Sequence, residues 1–290
     1  MRAACIDIGS NTTRLLVADC AGRELTEIHQ ERAFTRIGQG LAVSGTISEA
    51  KIREVVTVVA GQLAAARDHG AGTIRAVATA AIRRAANGQA LVDSIAAGTG
   101  LTVEVLSGEH EARLAFRGAA MTLARAPVGR LGVIDVGGGS SELVVGLAPD
   151  QIGWWASVEL GSGALTELCL ASDPPCPQEL AAARSEIAGA LGGLEPPRPD
   201  RAVAVGGSAT SLCRLAGPTL DPEALERSLA LLTSEPAAAV AESYQIDPQR
   251  ARLLPAGLLI LEAMAGLLGA ALTVGQGGIR EGVLLEAAGA

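Results

Sequence analysis

Residues 134–142 read IDVGGGSSE, and residues 6–12 read IDIGSNT. Each copy is an apolar run ending in Asp (Cys5-Ile6-Asp7 and Val133-Ile134-Asp135), then glycine and small hydroxyl residues, then a second apolar run. That order predicts strand, tight turn, strand. Glycines admit positive φ and close approach of backbone to ligand, so successive N–H groups in each turn can converge on an anion such as phosphate. The candidates are Ser10, Asn11 and Thr12 in the first turn and Gly137, Gly138, Gly139 and Ser140 in the second. The strand-end acids Asp7 and Asp135 can hold Mg²⁺ or a water. One Asp-x-Gly alone is common and reads first as an ordinary hairpin. Two copies, each followed by an apolar strand, imply two similar half-molecules.

Around the first copy, residues 3–8, 13–18 and 25–37 read as an antiparallel meander, followed by the glycine-bearing loop RIGQGL at 36–41. Ser48 opens a helical pattern running to Asp68. Residues 73–78 form a strand leading to a turn with Arg83 and Arg84, 90–97 a helix, 102–106 a strand, and Ser107 starts a helix with Glu109 and Glu111 in its first turn. The stretch Ala126-Pro127-Val128-Gly129 is the best boundary, giving domains 1–126 and 127–290.

Beyond it the pattern restarts with strands at 131–135, 142–147 and 154–160, the last two joined by a hairpin at 148–153. A helix from Gly161, one between Pro-rich stretches at 173–177 and 196–199, and a strand at 202–205 follow. Gly206-Gly207-Ser208 then turns into a helix, a second phosphate-type turn. Helices at 221–231, 234–242 and 247–270, a strand at 271–274 and a last helix from Gly278 complete the chain.

At 290 residues there is room for two domains. Hydrophobic residues make up 49% but aromatics only 2%, so base-stacking platforms are not expected. A net charge of −8 without a basic tract argues against nucleic acid and anionic membranes as partners. Lys51 is the only lysine, which excludes a Walker-type phosphate lysine. Phosphate must be met by arginine, backbone amides or metal. The cysteines are odd in number, five, and show no Cys-x-x-Cys spacing; this points to a reduced, cytoplasmic protein. No signal peptide is recognisable. The apolar stretch 253–272 contains Pro255 and Glu262, so it reads as a buried helix rather than a membrane span.

Among polar residues, a tight hairpin returns Glu142 close to Asp135, a paired-acid site able to bind Mg²⁺ and order a water. A solvated strand acid is the plainer reading of Glu142. Glu111 suits a helix start through the macrodipole, with or without a catalytic role. Arg83 could fork onto phosphate or be an ordinary surface charge. His29, His69 and His110 show no ligand spacing, and Trp154-Trp155 reads as core or hinge.

Together the stretches IDIGSNTTRLLV (6–17), RIGQGL (36–41), ATAAIRRAANG (78–88), LSGEHEARLAFRG (106–118), VIDVGGGSSELVVG (133–146), VGGSAT (205–210) and IREGVLLE (279–286) resemble the exopolyphosphatase and guanosine pentaphosphate phosphohydrolase (Ppx/GppA) family over nearly the whole chain. The resemblance implies an α/β fold of two ribonuclease-H-like domains, of the actin, sugar kinase and chaperone ATPase superfamily, with an interdomain cleft and a hinge near 126–130. It implies Mg²⁺-assisted hydrolysis of terminal phosphate from inorganic polyphosphate. Glu111 falls at the family's catalytic base, and Asp135 and Glu142 at its metal- and water-positioning acids. Asp7, Ser10, Asn11, Thr12, Arg83, Gly137 to Ser140, Gly206, Gly207 and Ser208 fall at phosphate-binding positions. A homodimer is expected. Ala81 stands where many relatives carry a hydroxyl, and Ala164 where many carry Arg, which weakens one phosphate contact. The sequence ends at Ala290 without the longer members' HD-type domain, and a preference for short polyphosphate is the resulting expectation. Guanosine pentaphosphate hydrolysis is the alternative within the family. A non-catalytic phosphate or nucleotide sensor is the alternative outside enzymes, against which the retained acids speak; a sugar or acetate kinase is a weaker fourth reading, since the SGxxEAR run is foreign to those groups.

Overall fold

The computed structural model describes residues 1–123, 125 and 127–289. The first half opens with the expected meander: β1 (Arg2–Ile8), β2 (Thr13–Ala21) and β3 (Glu24–Ala33). Next come α1 (Leu41–Ser44), α2 (Glu49–Asp68), β4 (Thr73–Ala78), α3 (Ala80–Arg84), α4 (Gly88–Thr99), β5 (Val103–Val105) and α5 (Gly108–Thr122). The second half runs β6 (Arg130–Val136), β7 (Ser141–Leu147), β8 (Gln151–Val158), α6 (Ser162–Cys169), α7 (Pro177–Leu191), β9 (Arg201–Val205), α8 (Gly206–Ala216), β10 (Thr219–Leu220), α9 (Pro222–Ser234), α10 (Ala237–Tyr244), α11 (Pro248–Ala251), α12 (Leu254–Leu268) and β11 (Leu272–Val274). The last helix is α13 (Ile279–Ala287).

The strand order is β3-β2-β1-β4-β5 in one sheet and β10-β11-β9-β6-β7-β8 in the other. Apart from the short added β10, the two sheets repeat one plan. A three-stranded antiparallel meander is joined through its first strand to two parallel strands. The repeated Asp-Gly sequence thus marks a repeated fold.

In the first sheet β1 lies between β2 and β4 and is nearly all apolar, because both of its faces are covered. Ala4, Ile6 and Ile8 of β1 join Leu15 and Val17 of β2 beneath α2 and α4. The alternate residues Ala3, Cys5, Leu16 and Ala18 pack with Leu114 of α5 and with Val283 and Leu284 of α13. Period-two alternation therefore feeds two cores. α2 is capped by Ser48, whose side chain accepts the Lys51 N–H, with Glu49 in the first turn and Arg67 in the last.

Two details differ from the sequence reading. β3 stops at Ala33 rather than 37, because the chain leaves the sheet to dock on the first hairpin. The helix expected over 247–270 divides into α11 and α12, with Pro255 in the first turn of α12, where its missing N–H costs no hydrogen bond.

The chain divides into a unit of Met1–Thr122 with Gly277–Ala290 and a unit of Leu123–Gln276. The expected second domain, 127–290, is corrected at its end: α13 belongs with the first unit. Glycine makes this packing possible. A Cβ on Gly118 of α5 would stand 2.0 Å from the Gly278 carbonyl oxygen, and one on Gly282 2.1 Å from that of Leu114, so the helices touch backbone to backbone. Ala126, on which the expected boundary falls, lies outside the described residues. Among the described residues no helix is long and apolar enough to cross a membrane, and all five cysteines are free.

Candidate functional site

In the first unit, β1, β4 and β5 run parallel with Ile8, Ala78 and Val105 in register. The Thr79 N–H donates to the Ile8 carbonyl at 3.3 Å and the Leu106 N–H to the Ala78 carbonyl at 2.9 Å. The segments 9–12, 79–84 and 106–111 therefore leave the sheet side by side at the carboxyl ends of parallel strands, the usual ligand position in such sheets. These segments carry every first-unit residue expected from the sequence except Asp7, which sits one residue inside the end of β1.

The first hairpin closes through the Gly9 N–H on the Thr12 carbonyl, 3.0 Å. Its outer carbonyls are occupied: Ser10 accepts from the Gly38 N–H at 2.8 Å and Asn11 from the Arg36 N–H at 3.0 Å. Asp7 Oδ1 and Asn11 Nδ2 are buried and have no hydrogen-bond partner among the described residues. Two buried polar atoms left unsatisfied in one hairpin are costly unless a ligand meets them. Burial pushes the Asp7 carboxyl up, opposed by the charges of Arg14 and then Arg280, while Glu281 adds to the rise. Arg14 faces Asp7 across the β1–β2 pair, and its Nε donates to Thr12 Oγ1 at 3.2 Å.

Arg83 and Glu111 meet directly. The Arg83 guanidinium pairs with Glu111 Oε1, and Nη1 also donates to the Leu106 carbonyl at 2.7 Å. Glu111, 1% exposed, lies in the first turn of α5, where the N-terminal end of the helix favours an acid. Ser107 starts this helix by accepting the His110 N–H at 3.1 Å.

In the second unit Asp135 and Glu142 lie opposite each other in the β6–β7 register, as the tight hairpin required. Both are buried, and Ser157 Oγ of β8 donates to Glu142 Oε1 at 2.9 Å. The hairpin again closes through the Gly137 N–H on the Ser140 carbonyl, 3.0 Å. Its carbonyls are again taken: Gly137 by the Ser162 N–H at 2.9 Å, Gly138 by the N–H groups of Gly163 and Ala164, both at 3.0 Å. The first turn of α6 thus spends its free amides on the hairpin. Gly206 opens α8 at φ +83°, and a Cβ there would stand 2.2 Å from Asp135 Oδ1, so glycine is what admits the helix start to the carboxylate. Ser208 Oγ is buried without a partner among the described residues.

Three supporting residues escaped the sequence reading. Arg14 could have been found from its alignment with Glu142, since both sit seven places after the strand-end Asp, whereas Ser157 reaches Glu142 only through a β7–β8 pairing whose register shifts at Val145/Gly146. Arg280 lies in the quoted IREGVLLE stretch, but its link to Asp7 appears only once α13 is seen beside β1.

Among the described residues no group of three or more His, Cys, Asp or Glu side chains is arranged to hold a metal. The Asp135–Glu142 pair nevertheless fits Mg²⁺, which binds through one or two carboxylates and completes its octahedron with waters and substrate phosphate.

The profile of the Ppx/GppA phosphatase family matches residues 16–290. A protein named exopolyphosphatase 2 from Mycobacterium tuberculosis is 38% identical over 192 residues, which is 63% of this chain and 59% of that protein. Exopolyphosphatase 1 of Mycobacterium leprae is 32% identical over 304 residues, 99% of this chain and 89% of its own length. The crystal structure of the Aquifex aeolicus Ppx/GppA family member superposes with a TM-score of 0.83 at 28% identity, covering 99% of this chain and 97% of that one.

Proposed function

The chain belongs to the Ppx/GppA phosphatase family, and on that premise we propose that it is an exopolyphosphatase, releasing terminal phosphate from inorganic polyphosphate. The observation that carries the reading is Glu111, a buried acid in a first helical turn, held by Arg83 at the carboxyl end of a parallel sheet. A binder of phosphate needs cations and amides there, and a buried carboxylate would repel its ligand. A hydrolase needs that carboxylate to take the proton of the attacking water.

In this reading Arg83 keeps Glu111 oriented with one arm of its fork and has donors left for phosphate oxygens. Asp135 and Glu142 would hold Mg²⁺, which neutralises phosphate charge when bound, and Ser157 keeps Glu142 in place. The amides and side chains of Ser10, Asn11 and Thr12, of Gly137 to Ser140 and of Gly206 to Ser208 bind phosphate, with Asp7 beneath the first turn. Positioning and charge neutralisation are what phosphoryl transfer requires of a protein. The proposal extends to a cytoplasmic homodimer and to short chains as preferred substrates, Ala164 offering no cation to a longer one.

The test is phosphate release from tripolyphosphate with Mg²⁺, beside a Glu111→Ala variant and beside guanosine pentaphosphate. Release from polyphosphate that falls by about 100-fold or more in the variant supports the assignment. Release only from guanosine pentaphosphate moves the substrate to the nucleotide. Binding without release from either makes the protein a sensor.

A further inference from the structure

Arg36 stands apart from the other arginines. It has a φ of +46° and is, among the described residues, one of two non-glycine residues in the left-handed region, where an L side chain is strained. The strain is imposed from both sides. Thr35 and Ile37 are buried, 1% and 2% exposed, and Thr35 Oγ1 lies 3.0 Å from Thr13 Oγ1. The Arg36 N–H is tied to the Asn11 carbonyl, and Gly38 packs so closely on Ser10 that a Cβ would stand 3.2 Å from Ser10 Cβ. Between these anchors the guanidinium has no ion pair or hydrogen bond with any described residue.

The hairpin that Arg36 abuts carries the buried, unpartnered Asn11 Nδ2, a donor that an anion would satisfy. The segment that docks on the equivalent hairpin of the second unit, Ser162-Gly163-Ala164, shares one of these contacts, on the Gly138 carbonyl in the place of Ser10, and has no cation. A glycine would make the Arg36 turn without strain. We propose that Arg36 is a phosphate-binding residue, supplying the first hairpin with a further side-chain cation for an anionic phosphoanhydride chain. The inference rests on the polyphosphate reading above. Arg14 already serves this hairpin through Thr12 Oγ1, and Arg36 adds a second guanidinium beside it.

The test uses calorimetric binding of tripolyphosphate without divalent metal to the wild type, Arg36→Asn and Arg36→Lys, with thermal midpoints of all three. Asn accepts the left-handed conformation and removes the charge, whereas Lys keeps the charge. Loss of a charge-assisted hydrogen bond predicts binding weakened about ten-fold or more in Arg36→Asn, with an unchanged or higher midpoint and partial recovery in Arg36→Lys. Wild-type affinity in Arg36→Asn, or equal weakening in both variants with a fallen midpoint, would overturn the assignment. Wild-type hydrolysis is measured in parallel; its absence beside intact binding would refute the hydrolase and leave Arg36 supported.

Discussion

Replacing Gly206 by Ala tests whether the start of α8 and the Asp135 carboxylate are built against each other. Two costs add. At φ +83° an L residue is strained by about 1–2 kcal/mol. The new Cβ would stand 2.2 Å from Asp135 Oδ1, roughly 1 Å short of an ordinary carbon–oxygen contact of about 3.3 Å. Overpacking of that kind costs about 1–3 kcal/mol. The variant should lose about 2–5 kcal/mol in urea denaturation. Gly22→Ala separates the terms: it has φ +58° and no atom within 4 Å of the new Cβ, so it should show the strain alone, about 1–2 kcal/mol. Because relief of the clash moves the Asp135 carboxylate by roughly 1 Å, phosphate release should fall about 100-fold in Gly206→Ala and not in Gly22→Ala. If Gly206→Ala is no less stable than Gly22→Ala and turns over at the wild-type rate, the close approach has no bearing on the site.

Arg83→Ala should destabilise the protein by about 3 kcal/mol, the low end for breaking a buried pair because Arg83 is 26% exposed; a loss below about 0.5 kcal/mol in denaturant titration, the size of an exposed pair, would deny it a hold on Glu111. Asp7 is held above its ordinary range by burial, so its ionisation opposes folding as pH rises. Asp7→Asn should therefore stabilise the ligand-free protein at neutral pH, the gain vanishing as pH falls below the unfolded value of 3.8, while activity is lost; a gain that persists in acid would contradict burial as the cause. Glu179 has the opposite sign. The Ser172 hydroxyl and the N–H groups of Cys176 and Ser172 hold it down at about 2, so its contribution is complete above the unfolded value of 4.5 and is lost as pH falls toward 2. Thermal midpoints of wild type and Glu179→Gln should thus differ at neutral pH and converge in acid.

The two sheets and the acids at their strand ends were readable in the sequence because they depend on local rules. A buried strand is an apolar run, a tight turn needs glycine or small polar residues, and a helix start takes Ser and Glu, so Asp7, Glu111, Asp135 and Glu142 could be placed from their neighbours alone. The Asp135–Glu142 pairing followed too, since a short hairpin leaves one register.

What remained hidden depends on elements distant in sequence. The Arg83–Glu111 pair exists because β4 and β5 are adjacent, and the Ser157 contact because β8 pairs with β7 across a register shift. Arg36 reads as an ordinary loop residue until its N–H is seen on Asn11. The return of α13 to the first unit rests on Gly118, Gly277 and Gly282, whose missing side chains carry no hydrophobic pattern and acquire meaning only from the backbone they let through. Periodicity and turn chemistry act along the chain and can be read there. Close approach and charge pairing act through space, and they arise only when the chain has folded.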